Sequence, residues 1–177
     1  ASWHDDAPDR AGGVHPIIRE GRYAGRPASR PSTQTLGVTM NARLISVEDD
    51  EGGAAVIEIG GIEVTVMDCL GYGTSNQPYP KVGAVFEARF TCLFEDGAPT
   101  DWQTVFSGNP QQQQRLQPTG IWSYRAYGKL VAGSNPDDGL LADCGGPLIP
   151  LPIDVYGSEN IGSCVAFNIM RLSVWRA

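Results

Sequence analysis

Histidine is nearly missing from this chain of 177 residues: His4 and His15 are the only two. Everything after them lacks an imidazole to act as general base, proton shuttle or metal ligand. That excludes Ser-His-Asp and Cys-His catalysis unless the N-terminal segment folds into a site. Lysine is as scarce, at Lys81 and Lys129, and no G-x-x-x-x-G-K-[ST] string occurs. Gly71-Tyr72-Gly73-Thr74 is too short for a phosphate loop and has no lysine. The four cysteines, Cys69, Cys92, Cys144 and Cys164, are too sparse for a disulfide scaffold, and none shows C-x-x-C spacing. Each lies in an apolar, strand-like run, so buried, reduced thiols are expected. No apolar run approaches the roughly 20 residues that span a bilayer. The opening Ala-Ser-Trp-His-Asp-Asp has neither the basic nor the apolar region of a secretory signal. No membrane partner, metal or cofactor is expected.

Positive charge is also in short supply. Lys+Arg is 13 against Asp+Glu 20, a net charge of −7, whereas a protein that grips duplex nucleic acid carries a basic stripe. The deficit is uneven. Residues 1–38 hold Arg10, Arg19, Arg22, Arg26 and Arg30 against Asp5, Asp6, Asp9 and Glu20, a net of +1, which leaves −8 for residues 39–177. Within the first segment the acids come first and the arginines follow.

What the chain does have is turn residues. Gly 22 and Pro 13 make about a fifth of it, which disfavours a helical bundle and predicts many turns, with over roughly 35% strand and under roughly 15% helix. Residues 1–35 carry Pro8, Pro16, Pro27 and Pro31 with many Gly and Arg, and Val14-His15-Pro16-Ile17-Ile18 is their one apolar patch. Such a composition cannot bury a core, and it reads as an extended arm. From Leu36 onward period-2 alternation and β-branched residues take over, so residues 36–177 read as one β domain. Ser107-Gly108-Asn109-Pro110 and Gln111 to Gln114 interrupt it as a surface loop.

That β domain contains an internal repeat, at about 36–106 and 121–177. Leu44 to Leu130 is 86 residues, Asp68 to Asp154 is again 86, and Gly60-Gly61 matches Gly145-Gly146 with one residue of slip. Val82 to Phe86 then corresponds to Ile161 to Val165, each followed by a long strand, Glu87 to Phe94 and Ala166 to Trp175. Each copy therefore predicts strand, acidic Gly turn, strand, Gly-Gly hairpin, strand, loop, long strand. Pro147, Pro150 and Pro152 remove ladder donors and predict an edge or irregular strand. The expected fold is all-β, duplicated four-strand units forming a β-barrel or β-sandwich behind the arm. The strand order of each copy resembles that of oligonucleotide-binding (OB) barrels, a topological likeness that carries no function.

Candidate chemistry is thin. Glu48 to Glu51 and Asp137-Asp138 do not follow an EF-hand spacing and read as solvated turn acids. Asp68 and Asp154, equivalent in the repeat, could pair as glycosidase carboxylates but also suit turn initiation. Trp122, Tyr124 and Tyr127, beside Arg125 and Lys129, could form an aromatic binding surface on an OB-like barrel, or could be core and interface residues.

The expectation is a non-enzymatic structural or assembly protein, such as a subunit or decoration protein of a virus or phage particle, found in a virion or the cytoplasm. Its partners would be other copies of itself or other subunits of the assembly. Arm contacts would come from Val14, Ile17, Ile18, Arg19, Arg22, Arg26 and Arg30. At ~3.3 Å per residue, about 35 extended residues reach at most about 115 Å, enough to meet a second subunit. Two other readings are an acidic inhibitor or immunity-type protein that binds a basic effector, and an OB-like ligand- or oligonucleotide-binding module.

Overall fold

The computed structural model describes residues 38–48, 53–72, 78–94, 101–133, 139–152 and 157–177, apart from the Trp102 side chain. The expected arm and all its named contact residues lie outside these. The chain divides between Thr33 and Gln34, and the described residues all follow that division; within them, the two copies of the repeat are the first and second units. The described residues are nearly all β, at 57% strand and 7% helix, inside the bounds that the turn-rich composition sets.

The strands are β1 (Val38–Glu48), β2 (Ala54–Ile59), β3 (Ile62–Asp68), β4 (Val85–Leu93), β5 (Arg115–Pro118), β6 (Tyr124–Ala132), β7 (Leu140–Asp143), β8 (Leu148–Pro150), β9 (Cys164–Ile169) and β10 (Arg171–Arg176). One short helix, α1 (Trp102–Ser107), lies between β4 and β5. β1, β2, β3, β10 and β4 close into a barrel, while β5, β6, β7 and β8 form a second sheet in which β9 also pairs with β6. Alternation sets the barrel interior. Ala42 and Leu44 on β1, Phe86, Ala88 and Phe90 on β4, and Leu172 and Val174 on β10 are buried. Leu130, Ile149, Val165 and Ile169 of the second sheet join the same core.

The repeat is visible bond by bond. Leu44 N–H donates to the Ala84 carbonyl at 3.1 Å, and its carbonyl accepts from Gly83 N–H at 2.7 Å. Leu130 makes the two corresponding bonds with Ser163 and Gly162, each at 2.8 Å. Arg43 pairs with Val85 as Lys129 pairs with Cys164, and Leu44 with Ile57 as Leu130 with Ala142. These are the matches that the 86-residue and shorter offsets require. Both Gly-Gly pairs close two-residue hairpins with positive φ at each glycine: 59° and 84° at Gly60 and Gly61, 87° and 144° at Gly145 and Gly146. The proline-rich stretch is indeed an edge: β8 spans three residues and pairs only with β7 among the described strands.

The copies differ in how they finish. The long strand expected over Ala166 to Trp175 breaks at Met170. β9 stays in the second sheet, and β10 leaves it to run antiparallel to β4 and parallel to β3. Leu172 N–H donates to the Trp122 carbonyl at 2.9 Å and Met170 N–H to the Leu93 carbonyl at 2.9 Å, which fixes the crossing point. The first copy thereby gains a fifth strand and closes. The second stays open among the described strands, with β5 as an added edge partner of β6. Among the described residues ten strands thus form a closed barrel and a second sheet.

The two Gly-Gly turns touch. A Cβ on Gly60 would lie 3.0 Å from the Gly146 Cα, and one on Gly146 would lie 3.0 Å from the Ile59 carbonyl oxygen. Gly53 has the same backbone conformation as Gly60, φ 58° against 59°, but a Cβ there meets nothing within 4 Å. Alanine at Gly53 should therefore cost only the left-handed backbone penalty, about 1–2 kcal/mol. Gly60→Ala should lose roughly 1–3 kcal/mol more, because the contact is backbone on backbone and has no side chain to yield. Urea midpoints of the two variants measure the difference directly.

Candidate functional site

The aromatic residues on β6 separate by parity. Tyr124 is a core residue, 3% exposed, and so forms no part of a binding surface. Its hydroxyl accepts from Thr65 N–H at 2.9 Å and donates to the Thr65 carbonyl at 2.7 Å. β3 meets β10 only at Met67 and Asp68, so the Thr65 backbone is left without a strand partner on that side, and the phenol satisfies both of its groups. Burial pushes the Tyr124 pKa up against the lowering effect of these bonds. Trp122 is half-buried, and its indole N–H is enclosed without an acceptor among the described residues.

Tyr127 points the other way, onto the outer face of the second sheet. Strand register builds three rows there. Gln117, Arg125 and Asn168 stand side by side on β5, β6 and β9; Arg115, Tyr127 and Ala166 form the next row; Lys129 lies between Asp143 and Cys164 in the third. The Arg115 guanidinium carbon lies 5.4 Å from the Tyr127 ring centroid and that of Arg125 lies 5.8 Å away, both within cation–π range. Side-chain amides orient both cations: Arg115 donates to Gln117 Oε1 at 3.2 Å and Arg125 to Asn168 Oδ1 at 3.0 Å. Asp143 does not neutralise Lys129 by contact; its Oδ1 instead accepts from Gly145 and Gly146 N–H at 2.9 and 3.2 Å.

α1 builds the border of this face. Asp101 caps it, accepting from Gln103 N–H and from the Thr104 hydroxyl, which holds its carboxyl below the usual range. A Cβ on Gly108, just past the helix, would lie 3.1 Å from both the Ala166 Cβ and the Arg125 Nη2. The loop read from Ser107 to Gln114 is on the surface but not loose. Asn109 within it is 4% exposed and grips Gln113, donating to its carbonyl and accepting from its N–H at 2.8 Å each.

The remaining candidates are only partly among the described residues. Asp68 Oδ1 accepts from Leu70 N–H at 2.8 Å and Oδ2 from the Tyr79 hydroxyl at 2.5 Å, so its carboxylate is used in a turn. Its counterpart Asp154 lies outside the described residues, as do most of both acidic turns and Gly73-Thr74. Among the described residues, no three His, Cys, Asp or Glu side chains are grouped to hold a metal ion, and no helix is long and apolar enough to cross a membrane. No protein-family model, curated protein or solved structure matches the chain.

All four cysteines are unpaired, with Cys69 and Cys144 buried. Burial pushes the Cys92 thiol up, with Cys144 nearby adding to it, and pushes Cys144 up to about 12, with Asp143 adding to it. A thiol held neutral only in the folded state contributes stability below its unfolded pKa of about 8.5, and that contribution is lost as pH rises towards the folded value. Urea midpoints should therefore fall between pH 8 and pH 11. The fall should be shallower in the Cys92→Ala, Cys144→Ala double variant. Tyr124→Phe should cost about 1–3 kcal/mol, since it leaves both Thr65 groups without their partner. Chemical denaturation at pH 7 measures that loss.

Proposed function

We propose that this chain is a non-enzymatic assembly protein, a β body that uses its N-terminal arm to bind other copies of itself or other subunits of an ordered particle. The observation that carries the reading is that the barrel is complete without the arm. All five of its strands lie between Val38 and Arg176, so residues 1–35 are not required to finish the core. A segment with five arginines and an apolar Val14-Ile17-Ile18 patch is then available for a neighbour. The arginines supply long-range attraction to an acidic body, and the aliphatic patch supplies anchoring that exposed charge alone does not. The edges of the second sheet agree with a controlled rather than an indiscriminate association. β8 carries Pro147, Pro150 and Pro152 on or beside it, and its Leu148 N–H is taken by the Met40 sulfur at 3.3 Å.

Light scattering coupled to size exclusion should give a mass of more than one chain for the full protein. It should give the mass of a single folded chain once residues 1–35 are removed. High salt should weaken the association only in part. A truncated chain that assembles as well as the full one would make the arm a passive tail and overturn the proposal.

A further inference from the structure

The outer face of β5, β6 and β9 is a cationic strip on an acidic protein. Arg115, Arg125 and Lys129 fall within three adjacent rows. None of the three has an ion-pair partner among the described residues, although residues 39–177 carry a net of −8. The internal repeat shows how the second unit differs here from the first. At the corresponding positions of the first unit stand Thr39 for Arg125, Arg89 for Asn168, Asn41 for Tyr127, Glu87 for Ala166 and Arg43 for Lys129, in the same register. Both units thus carry two cations on this strand pair, but the second has an aromatic ring in the middle row and lacks the carboxylate that sits there in the first.

We infer that this strip receives the acidic start of the arm, Asp5 to Asp9, from a second copy of the chain. The inference rests on the assembly reading above and names the surface that the arm would use. Spacing supports it. In an extended segment Asp5, Ala7 and Asp9 share one side, and Asp5 to Asp9 spans about 13 Å, at ~3.3 Å per residue. Arg125 to Lys129 on β6 is the same four-residue interval, with Tyr127 between them. Laid along β6, the two carboxylates meet Arg125 and Lys129, and the small Ala7 lies over the Tyr127 ring. Arg115 adds a third cation at the side. Both guanidiniums are already oriented by Gln117, Asn168 and the ring, so less side-chain freedom is lost on binding. A short acidic segment suits the strip better than a long polyanion, whose remaining charges would meet the acidic surroundings. Residues 10–37 are long enough to carry the segment to a neighbour, at up to about 90 Å of extended chain.

The test is a charge exchange in the full-length protein. Arg125→Glu with Lys129→Glu, and separately Asp5→Lys with Asp9→Lys, should each weaken self-association about tenfold or more at low salt, read by light scattering across a dilution series. Combining all four substitutions in one chain should restore it. Unchanged far-UV spectra and urea midpoints show that each variant is folded; Arg125→Gln with Lys129→Gln, which adds no repulsion, serves if the reversals unfold it. Association that survives either charge reversal, or that the combined variant fails to recover, overturns the inference. If that happens while removal of residues 1–35 still abolishes assembly, the arm reading stands and only the docking surface is wrong. A parent chain that is monomeric sinks both. A fluorescent single-stranded 20-mer bound by the parent at physiological salt and released by the Arg125 and Lys129 changes would assign the strip to nucleic acid instead.

Discussion

β10 is the strand on which the rest of the architecture depends. It begins 78 residues after β4 ends, yet it lies between β3 and β4 and supplies the parallel and antiparallel ladders that close the barrel. Everything between Leu93 and Arg171 is therefore an excursion whose two ends must meet, and they do: Met170 N–H donates to the Leu93 carbonyl at 2.9 Å. Closing so long a loop costs entropy that grows only slowly with length, but the contacts that repay it arrive late. An excursion with its own sheet lowers that cost, because the pairing of β6 with β9 already holds much of it together and shortens the loop that remains to be closed. The second unit is thus part of how the first one closes.

The mutual dependence runs through backbone groups as well as apolar surface. Where β3 diverges from β10, Tyr124 of the second unit satisfies Thr65. At a related place on the other side, Met40 of the first unit accepts from Leu148 N–H. Each unit thus covers a backbone group that the other's short or diverging strands leave over. The abutting Gly60 and Gly146 turns lie between these two contacts in the repeat and admit no side chain. A single core cluster containing Leu44 and Leu130 together is the apolar side of the same arrangement.

Most of the fold was legible because a four-strand unit was written twice. The anchors at Leu44, Gly60, Gly83 and their counterparts reappear as equivalent hydrogen bonds and turns, so spacing alone gave the order of the strands and both Gly-Gly hairpins. The break at Met170 was missed. Its sequence mark is a phase slip: Ile169 and Met170 are adjacent apolar residues, and the buried positions pass from Phe167 and Ile169 to Leu172 and Val174, which only the position of β3 and β4 in space turns into a change of sheet. β5 was hidden because Arg115-Leu116-Gln117-Pro118 has too few apolar residues to mark a strand, and it forms only as an edge on β6. α1 had a readable signal in Asp101 as N-cap followed by apolar Trp102, Val105 and Phe106 at i, i+3 and i+4, but it spans fewer than two turns, too short to stand out among strands. At the site, period-2 parity was enough to place Tyr124 and Tyr127 on opposite faces, but not to say which face is inside. Burial of Ala126 and Leu130 decides it. Arg115 could not have been assigned to the strip at all, since its place there comes from the unpredicted β5.

The two units share their inner faces and differ on their outer ones, and physical constraint explains why. Inward positions must fill one joint core at interior density, so Leu44 and Leu130, Phe86 and Val165, and Phe90 and Ile169 stay apolar in both units. Outward positions carry no such demand. The first unit mixes Arg43, Glu87 and Arg89 across its rows, a distribution that leaves little local field. In the second, Ala166 accepts the close approach of Gly108 behind α1, a space that a glutamate could not share. That packing removes the acid from the middle row and leaves Arg115 and Arg125 to gather on Tyr127. The cationic strip is therefore coupled to the helix that covers β9: the contact that seats α1 on the sheet is also the one that keeps negative charge away from the two arginines.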